Sequence, residues 1–307
     1  MNIPLELAGL RLDQALARLL PEHSRSRLQD WIRRERVHVD GASAQPRQKV
    51  WGGERIEIQP ELDALANTDR PQALPLSIVF EDDAILVLDK PAGMVVHPGS
   101  GNRDGTLLNA LLHHAPGLAH VARAGIVHRL DKDTSGLMVV AKTPAAQTSL
   151  VRQLQARSVK RDYLALVLGV PSATGKVEAP VGRHPVQRTR MAVVAAGKPA
   201  LTHYRVRCAG AGWSLLECSL ETGRTHQIRV HLASIGHPVL GDPTYLGRGA
   251  SRTLPPAARS FPRQALHATR LALTHPLSGE RLTWECAPPA DFAALFRALR
   301  EDDGAAD

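Results

Sequence analysis

Gly125-Ile126-Val127-His128-Arg129-Leu130-Asp131-Lys132-Asp133-Thr134-Ser135-Gly136-Leu137-Met138-Val139-Val140-Ala141 holds two apolar runs separated by a block of charges and hydroxyls. Short apolar runs bounded by glycine read as buried strands, so the block between them leaves a sheet and returns to it. Asp131 is thereby held near a strand end. Most charged loops are solvated turns, but a loop fastened by two core strands is also where catalytic groups concentrate. The flanking sequence decides between the two readings.

Upstream, Ile78-Val79-Phe80 and Ala84-Ile85-Leu86-Val87-Leu88 enclose Glu81-Asp82-Asp83 as strand, turn and strand. Lys90-Pro91-Ala92-Gly93 then makes a tight turn into Met94-Val95-Val96-His97-Pro98. Downstream, Thr143 with Pro144 marks an N-cap and a first helical position, opening a helix through Leu150, Val151 and Leu154. Lys160-Arg161-Asp162-Tyr163 leads into the strand Leu164-Ala165-Leu166-Val167-Leu168, closed by Gly169. Short strands with scattered helices and no sustained strand-helix alternation predict an α+β fold with a mixed, mainly antiparallel sheet.

A small α/β module precedes this body. Leu12, Ala15, Leu16 and Leu19 recur at helical spacing before Pro21. Ser24 is placed to N-cap a second helix with Leu28, Trp31 and Ile32 on one face and Arg25, Arg33 and Arg34 elsewhere. Val37-His38-Val39 and Glu54-Arg55-Ile56-Glu57-Ile58 read as short strands. We expect a module over residues 1–64, a linker over 65–75, a catalytic body over 76–299 and a tail over 300–307.

The chain has 307 residues, enough for a sizeable core and an accessory domain. Its 38 Lys and Arg against 30 Asp and Glu give a net charge of +8, and the pI near 9.9 points to a polyanionic partner. No stretch approaches the roughly 18 consecutive apolar residues of a spanning helix, and Met1-Asn2-Ile3-Pro4-Leu5-Glu6 lacks the basic start of a leader. The expectation is a cytoplasmic protein without membrane attachment. Cys208, Cys218 and Cys286 are scattered, which speaks against a disulfide framework or a zinc ribbon.

A second polar block, Glu221-Thr222-Gly223-Arg224-Thr225-His226-Gln227-Ile228-Arg229-Val230-His231-Leu232, runs on to Gly236-His237-Pro238-Val239-Leu240-Gly241-Asp242. Thr225 is positioned to N-cap a helix carrying Ile228, Leu232 and Ile235 and stopping at Gly236, so Arg224 projects just before it. Residues 179–216 hold six Lys or Arg and no acid, with Arg183, Arg188 and Arg190 in the densest part. Such a stretch suits phosphate contacts. The loop from Leu246 to Arg263, with Arg248, Arg252 and Arg259, reads as a segment that orders on binding.

The order His128-Arg129-Leu130-Asp131-Lys132-Asp133-Thr134-Ser135-Gly136, together with the second block, resembles the signatures of the bacterial RNA pseudouridine synthases that modify ribosomal and transfer RNA. The N-terminal module resembles an RNA-binding unit shared by a small-subunit ribosomal protein and several RNA-modifying enzymes. His97 to Leu111 and Phe261 to Ala268 bring the chain nearest to the D-type subgroup acting on 23S rRNA. The resemblance implies isomerisation of uridine to pseudouridine with no cofactor and no metal. It implies Asp131 as the catalytic carboxylate, Tyr163 against the detached base, Arg224 paired with Asp131, and Arg129 entering the space of an extruded base. It also places His128 and the arginines Arg25, Arg33, Arg34, Arg183, Arg188 and Arg190 on the RNA, with the enzyme a monomer. Leu246 stands where the subgroup often has glycine, and the stretch from Arg190 to Lys198 follows its pattern in part.

Other classes fit worse. A kinase needs His-Arg-Asp, whereas Leu130 intervenes here. A zinc hydrolase needs two histidines on one helical face, whereas His226 and His231 lie five apart without a glutamate between. The runners-up are a non-catalytic ribosome-assembly factor using the same RNA surface, and a synthase acting on tRNA.

Overall fold

The computed structural model describes residues 1–21, 23, 25–59, 70–99, 102–247 and 254–304. Near the N-terminus, helices α1 (Leu12–Leu19) and α2 (Arg25–Arg33) pair with a sheet of β1 (Val37–Val39), β2 (Ala42–Ser43) and β3 (Ile56–Ile58) in the order β2-β1-β3. Leu12, Leu16, Leu28, Trp31, Ile32, Val37 and Ile56 bury into a core of their own. Each such side chain contributes on the order of 1.5–3 kcal/mol when fully removed from water. Ser24 lies outside the described residues.

The body is one nine-stranded sheet. Its strands are β4 (Ser77–Glu81), β5 (Ile85–Lys90), β6 (Ser135–Ala141), β7 (Lys160–Leu168), β8 (Thr174–Glu178), β11 (Leu201–Gly210), β12 (Trp213–Leu220), β13 (Leu266–Thr274) and β14 (Arg281–Glu285). They run β4-β5-β6-β13-β7-β12-β11-β8, with β14 also on β13. Only the β13–β6 pairing is parallel. The hairpin of β9 (Val181–Arg183) and β10 (Met191–Val193) stands apart. Among the described residues, four α-helices complete the body: α3 (Leu107–His114), α4 (Pro144–Gln155), α5 (Gln227–Ser234) and α6 (Ala290–Gly304).

Unbroken apolar runs along β5 and β6 send successive side chains to opposite faces, so the sheet is covered on both. Leu86, Leu88, Met138 and Val140 enter one core, while Ile85, Val87, Leu137 and Val139 enter another. All seven residues of β6 are buried. Gly136, with φ of +116°, brings β6 so close to β13 that a Cβ there would overlap the Ala268 carbonyl.

Some expectations need correction. Gly125-Ile126-Val127 is not a strand: Arg123 and Ala124 have φ of 57° and 50°, and Ile126 makes a single bridge to Val140. The loop bearing Asp131 is thus strand-anchored on its C-terminal side alone. Helix α3 was not expected; Thr106 caps it, its backbone N–H donating to Asn109 Oδ1 at 3.0 Å. The residues before β4 are not a free tether, because Gly105 N–H donates to Gln72 Oε1 at 2.7 Å and Asn109 Nδ2 donates to the Arg70 carbonyl at 2.8 Å. Residues 60–69 lie outside the described residues. Nor is 300–304 a tail: Asp303, on α6, accepts from Trp213 Nε1 and from Ala211 N–H, both at 3.0 Å. Among the described residues no helix is long and apolar enough to cross a membrane.

Candidate active site

The loop after Leu130 is fastened carbonyl by carbonyl. Asp131 O accepts from Thr134 N–H at 3.1 Å. Lys132 O accepts from Gly93 N–H at 3.0 Å and from Lys90 Nζ at 2.9 Å. Asp133 O accepts from Arg263 Nη1 at 3.0 Å, and Thr134 Oγ1 accepts from Gln264 Nε2 at 3.1 Å. A polar turn becomes a rigid mount because every group it turns inward finds a donor. Fully buried Lys90 is central: Nζ also donates to Pro91 O at 2.7 Å and Met94 O at 3.0 Å. Burial pulls its pKa down to about 7, opposed by Asp133 and Asp131. Three carbonyl acceptors require three protons, so we assign Lys90 as the ammonium.

Asp131 opens onto a cavity of about 570 Å³, within the range of small-ligand sites. Its Oδ2 accepts from Arg229 Nη1 at 2.9 Å. Arg229 lies on α5 and is 4% exposed. Its Nε and Nη2 also hold Asp242 bidentately at 2.7 and 2.9 Å. Asp242 is steadied in turn by the N–H groups of Thr244 and Tyr245 at 2.8 and 3.0 Å. The guanidinium further lies 5.1 Å from the centre of the Tyr245 ring. Burial by itself would lower the Arg229 pKa, but the bonds and charge of Asp242, joined by Asp131, outweigh it and raise it. A permanent cation therefore faces the Asp131 carboxylate and favours its ionised form.

The expected partner was Arg224, and the structure replaces it. Arg224 is half-buried, and its Nε donates to the Pro199 carbonyl at 3.2 Å. The cause is a shift in where α5 starts. His226, in the left-handed region with φ of 56°, precedes the first helical residue, so Thr225 is not the cap. That turn swings Arg224 to the rim and carries Arg229 inward. His226 Nδ1 lies 2.8 Å from the Tyr245 hydroxyl and Nε2 lies 3.9 Å from Asp131 Oδ1. Burial lowers its pKa, against the pull of Asp131.

Tyr163, on β7, is 5% exposed and lines the cavity with Asp131. Burial raises its pKa, with Arg161 pulling it down and Asp131 pushing it up, so the phenol stays protonated. Arg129 is exposed at the cavity edge. His128 accepts from Val139 N–H through Nε2 at 3.1 Å. Burial, aided by Arg161, drives its pKa down to about 3, so it is neutral and carries its proton on Nδ1.

The other arginines singled out by sequence lie apart from this cavity. Arg25 is tied to buried Asp13 by Nε and Nη2 at 3.0 and 2.8 Å. Arg33 is exposed, and Arg34 pairs with Asp30 at 3.0 Å. Arg183 Nη1 donates to Arg188 O at 2.9 Å, and Arg190 braces the same loop against Gln187 Oε1 at 3.1 Å and the Thr244 carbonyl. Arg263, read as part of an RNA-facing loop, is instead buried at 6% exposure and bound to Asp291 at 2.6 Å. Residues 248–253 of that loop, with Arg248 and Arg252, lie outside the described residues.

Sequence reading missed Arg229, Asp242, His226, Tyr245 and Arg161. The first three sit inside the quoted second block, but a helical register cannot be read when its first residue has positive φ. Among the described residues, Asp89, His267 and Cys286 hold donor atoms within 4.8 Å of one another. Burial pushes the Cys286 thiol up to about 12, and His267 is held by Ser135 Oγ at 3.0 Å, as in a hydrogen-bonded structural cluster.

The RNA pseudouridylate synthase family matches over residues 84–234, and the S4 domain over residues 10–56. Ribosomal large subunit pseudouridine synthase D of Nitrosomonas europaea is 60% identical, over 98% of this chain and 87% of that protein. The protein of the same name from Pseudomonas aeruginosa is 56% identical over 98% of this chain and 95% of its own length. The solved structure of human RNA pseudouridylate synthase domain containing 1 superposes with a TM-score of 0.56 and 28% identity, covering 75% of this chain and 96% of that one. With this identity over nearly its whole length, the chain belongs to the RNA pseudouridylate synthase family.

Proposed function

We propose that this enzyme isomerises a uridine of large-subunit (23S) ribosomal RNA to pseudouridine, acting as a monomer in the cytoplasm. The observation that carries the reading is the ion-paired line Asp131–Arg229–Asp242, at 2.9 Å and 2.7 Å, opening onto a cavity of nucleoside size. The likeness to synthases named for the large ribosomal subunit supports the substrate.

The reaction breaks the bond between ribose C1′ and uracil N1, turns the base, and rejoins it through C5. Asp131 supplies an anionic oxygen, either to C1′ or base as nucleophile or to the C2′ proton as base. Both roles require an ionised carboxylate of fixed direction, which Arg229 provides. Tyr163 offers an apolar ring to the freed base. Arg129, at the cavity edge, takes the place of the extruded base in the RNA stack. The Asp13-tied helix pair and the loop bearing Arg183, Arg188 and Arg190 bind the surrounding phosphates.

Purified protein incubated with 23S rRNA and, separately, with bulk tRNA, followed by carbodiimide treatment and primer extension, tests the reading. Discrete new stops in 23S rRNA alone are expected. Stops in tRNA alone, or none in either RNA, overturn it.

A further inference from the structure

Two arginines of the cavity are buried, and they are treated oppositely. Arg229 has two carboxylates. Arg161, 8% exposed, has no carboxylate partner among the described residues, and its Nε finds no hydrogen-bond acceptor. Burying a cation without a partner costs several kcal/mol, and folding alone gives no return for it here. Beside it His128 carries a second orphan: with Nε2 accepting from Val139, Nδ1 must bear the proton, and that N–H is sealed from water with no acceptor.

Both residues line the cavity. Arg161 precedes Tyr163 by two residues on β7, so both side chains leave the same face of the strand. The guanidinium packs against Gly223, where a Cβ would come within 2.7 Å of Nη1. The remaining cavity arginines divide differently: Arg123, Arg129 and Arg157 are exposed and Arg224 half-buried. Arg157 is neutralised by Glu221 at 3.2 Å, and Arg123 leans on His97. Backbone phosphates of a folded RNA reach the exposed rim, whereas the part of a nucleotide that enters deeply is the flipped base.

We propose that Arg161 is a receptor for a carbonyl oxygen of the flipped uracil and holds the negative charge the base acquires when it leaves the ribose. As C1′–N1 breaks, its electron pair stays on uracil and spreads over N1 and the carbonyl oxygens. Asp131 bonds to C1′ or takes the C2′ proton. After the base turns, C1′–C5 forms as the Asp131–C1′ bond breaks or as Asp131 returns the proton to C2′; the C5 proton is then lost and N1 is protonated, so atoms and charge balance without a co-reactant. A fixed guanidinium stabilises the charged base more than the neutral one, and only such a difference accelerates chemistry. This inference rests on the uridine reading of the cavity.

The test is single-turnover pseudouridine formation by full-length wild type, Arg161→Met and Arg161→Lys on a 23S rRNA fragment, with RNA Kd and Tm measured alongside. Arg161→Met should lose about a hundredfold in saturated rate, keep Kd within twofold, and keep or raise its Tm, since a buried unpaired charge is removed. Arg161→Lys should recover part of the rate. With 5-fluorouridine at the target, whose C5 has no proton to lose, the readout is consumption of the original nucleoside; its base departs as a less basic anion, so the deficit of Arg161→Met should shrink about tenfold. A weakened Kd with unchanged saturated rate would make Arg161 a phosphate contact and overturn the proposal. So would a rate loss explained by a fallen Tm, or a deficit identical for both bases. Inactive wild type would instead overturn the functional reading itself, and this inference with it.

Discussion

Replacing Arg229 by methionine removes one cation and three hydrogen bonds, two to Asp242 and one to Asp131. The aliphatic stem is kept, so the loss is electrostatic rather than a cavity. Asp242 is 2% exposed and retains two backbone donors, but its charge is left without a counterion. Stranding a buried charge this way costs about 3–5 kcal/mol, equivalent to a fall in Tm on the order of 10 °C for a domain of this size. Asp131, with 16% side-chain exposure, is partly solvated and contributes less to that loss. Its direction is set by Arg229, so the saturated rate should fall by at least about a hundredfold. Arg224→Met, at the position sequence favoured, loses a single bond to a carbonyl near the rim, worth about 1 kcal/mol. Urea unfolding and single-turnover kinetics on both variants test the assignment. Arg229→Met with wild-type stability and rate, or Arg224→Met with the larger loss of both, would refute it.

Lys90→Met should destabilise by about 2 kcal/mol or more, because the Pro91 and Met94 carbonyls lose their donor and the Lys132 carbonyl keeps only the Gly93 N–H, and thermal unfolding measures it; an unchanged Tm contradicts the role of Lys90 as a mount. For His128, folded pKa about 3 against about 6.5 unfolded means the unfolded chain binds more protons between those values. Its neutral form therefore contributes stability that is present above pH 6.5 and is lost as pH falls toward 3. His128→Gln should flatten the decline of unfolding free energy between pH 7 and 4.5, and an unchanged slope would show that His128 titrates freely. Arg33→Ala and Arg188→Ala should each lower the salt slope of RNA binding by about one while leaving the saturated rate within twofold; unaltered slopes remove these arginines from the RNA surface.

What was legible in the sequence was what local chemistry dictates. Thr143 and Pro144 set the start of α4, and Thr143 Oγ1 indeed accepts from Ala146 N–H at 3.1 Å. Short apolar runs gave β4, β5 and β7, and the polar block at Asp131 emerged beside a buried strand. What was lost depended on distant partners or on positive φ. Ile126 reads as a strand residue, yet Arg123 and Ala124 turn the chain before pairing can extend. The resemblance implied Arg224 as the partner of Asp131 and the reading of Thr225 as cap placed it just before the helix, whereas one left-handed residue, His226, precedes α5 and Arg229, on α5, faces inward. Arg263 carries the same charge as its loop neighbours; its burial is decided by Asp291 on α6, 28 residues away. Arg161 gave no signal, since a buried arginine without a carboxylate is recognised only once its surroundings are known.

The central claim is that the Asp131 carboxylate, held by Arg229, performs the isomerisation. Asp131→Asn keeps the shape of the side chain and a hydrogen-bonding oxygen toward Arg229, but removes the anionic oxygen. The measurement is pseudouridine formed in 23S rRNA in a single turnover at saturating enzyme, with RNA affinity measured on the same preparation. The account predicts no detectable pseudouridine from Asp131→Asn, with RNA affinity within a few-fold of wild type; pseudouridine formed at a rate near wild type would contradict it.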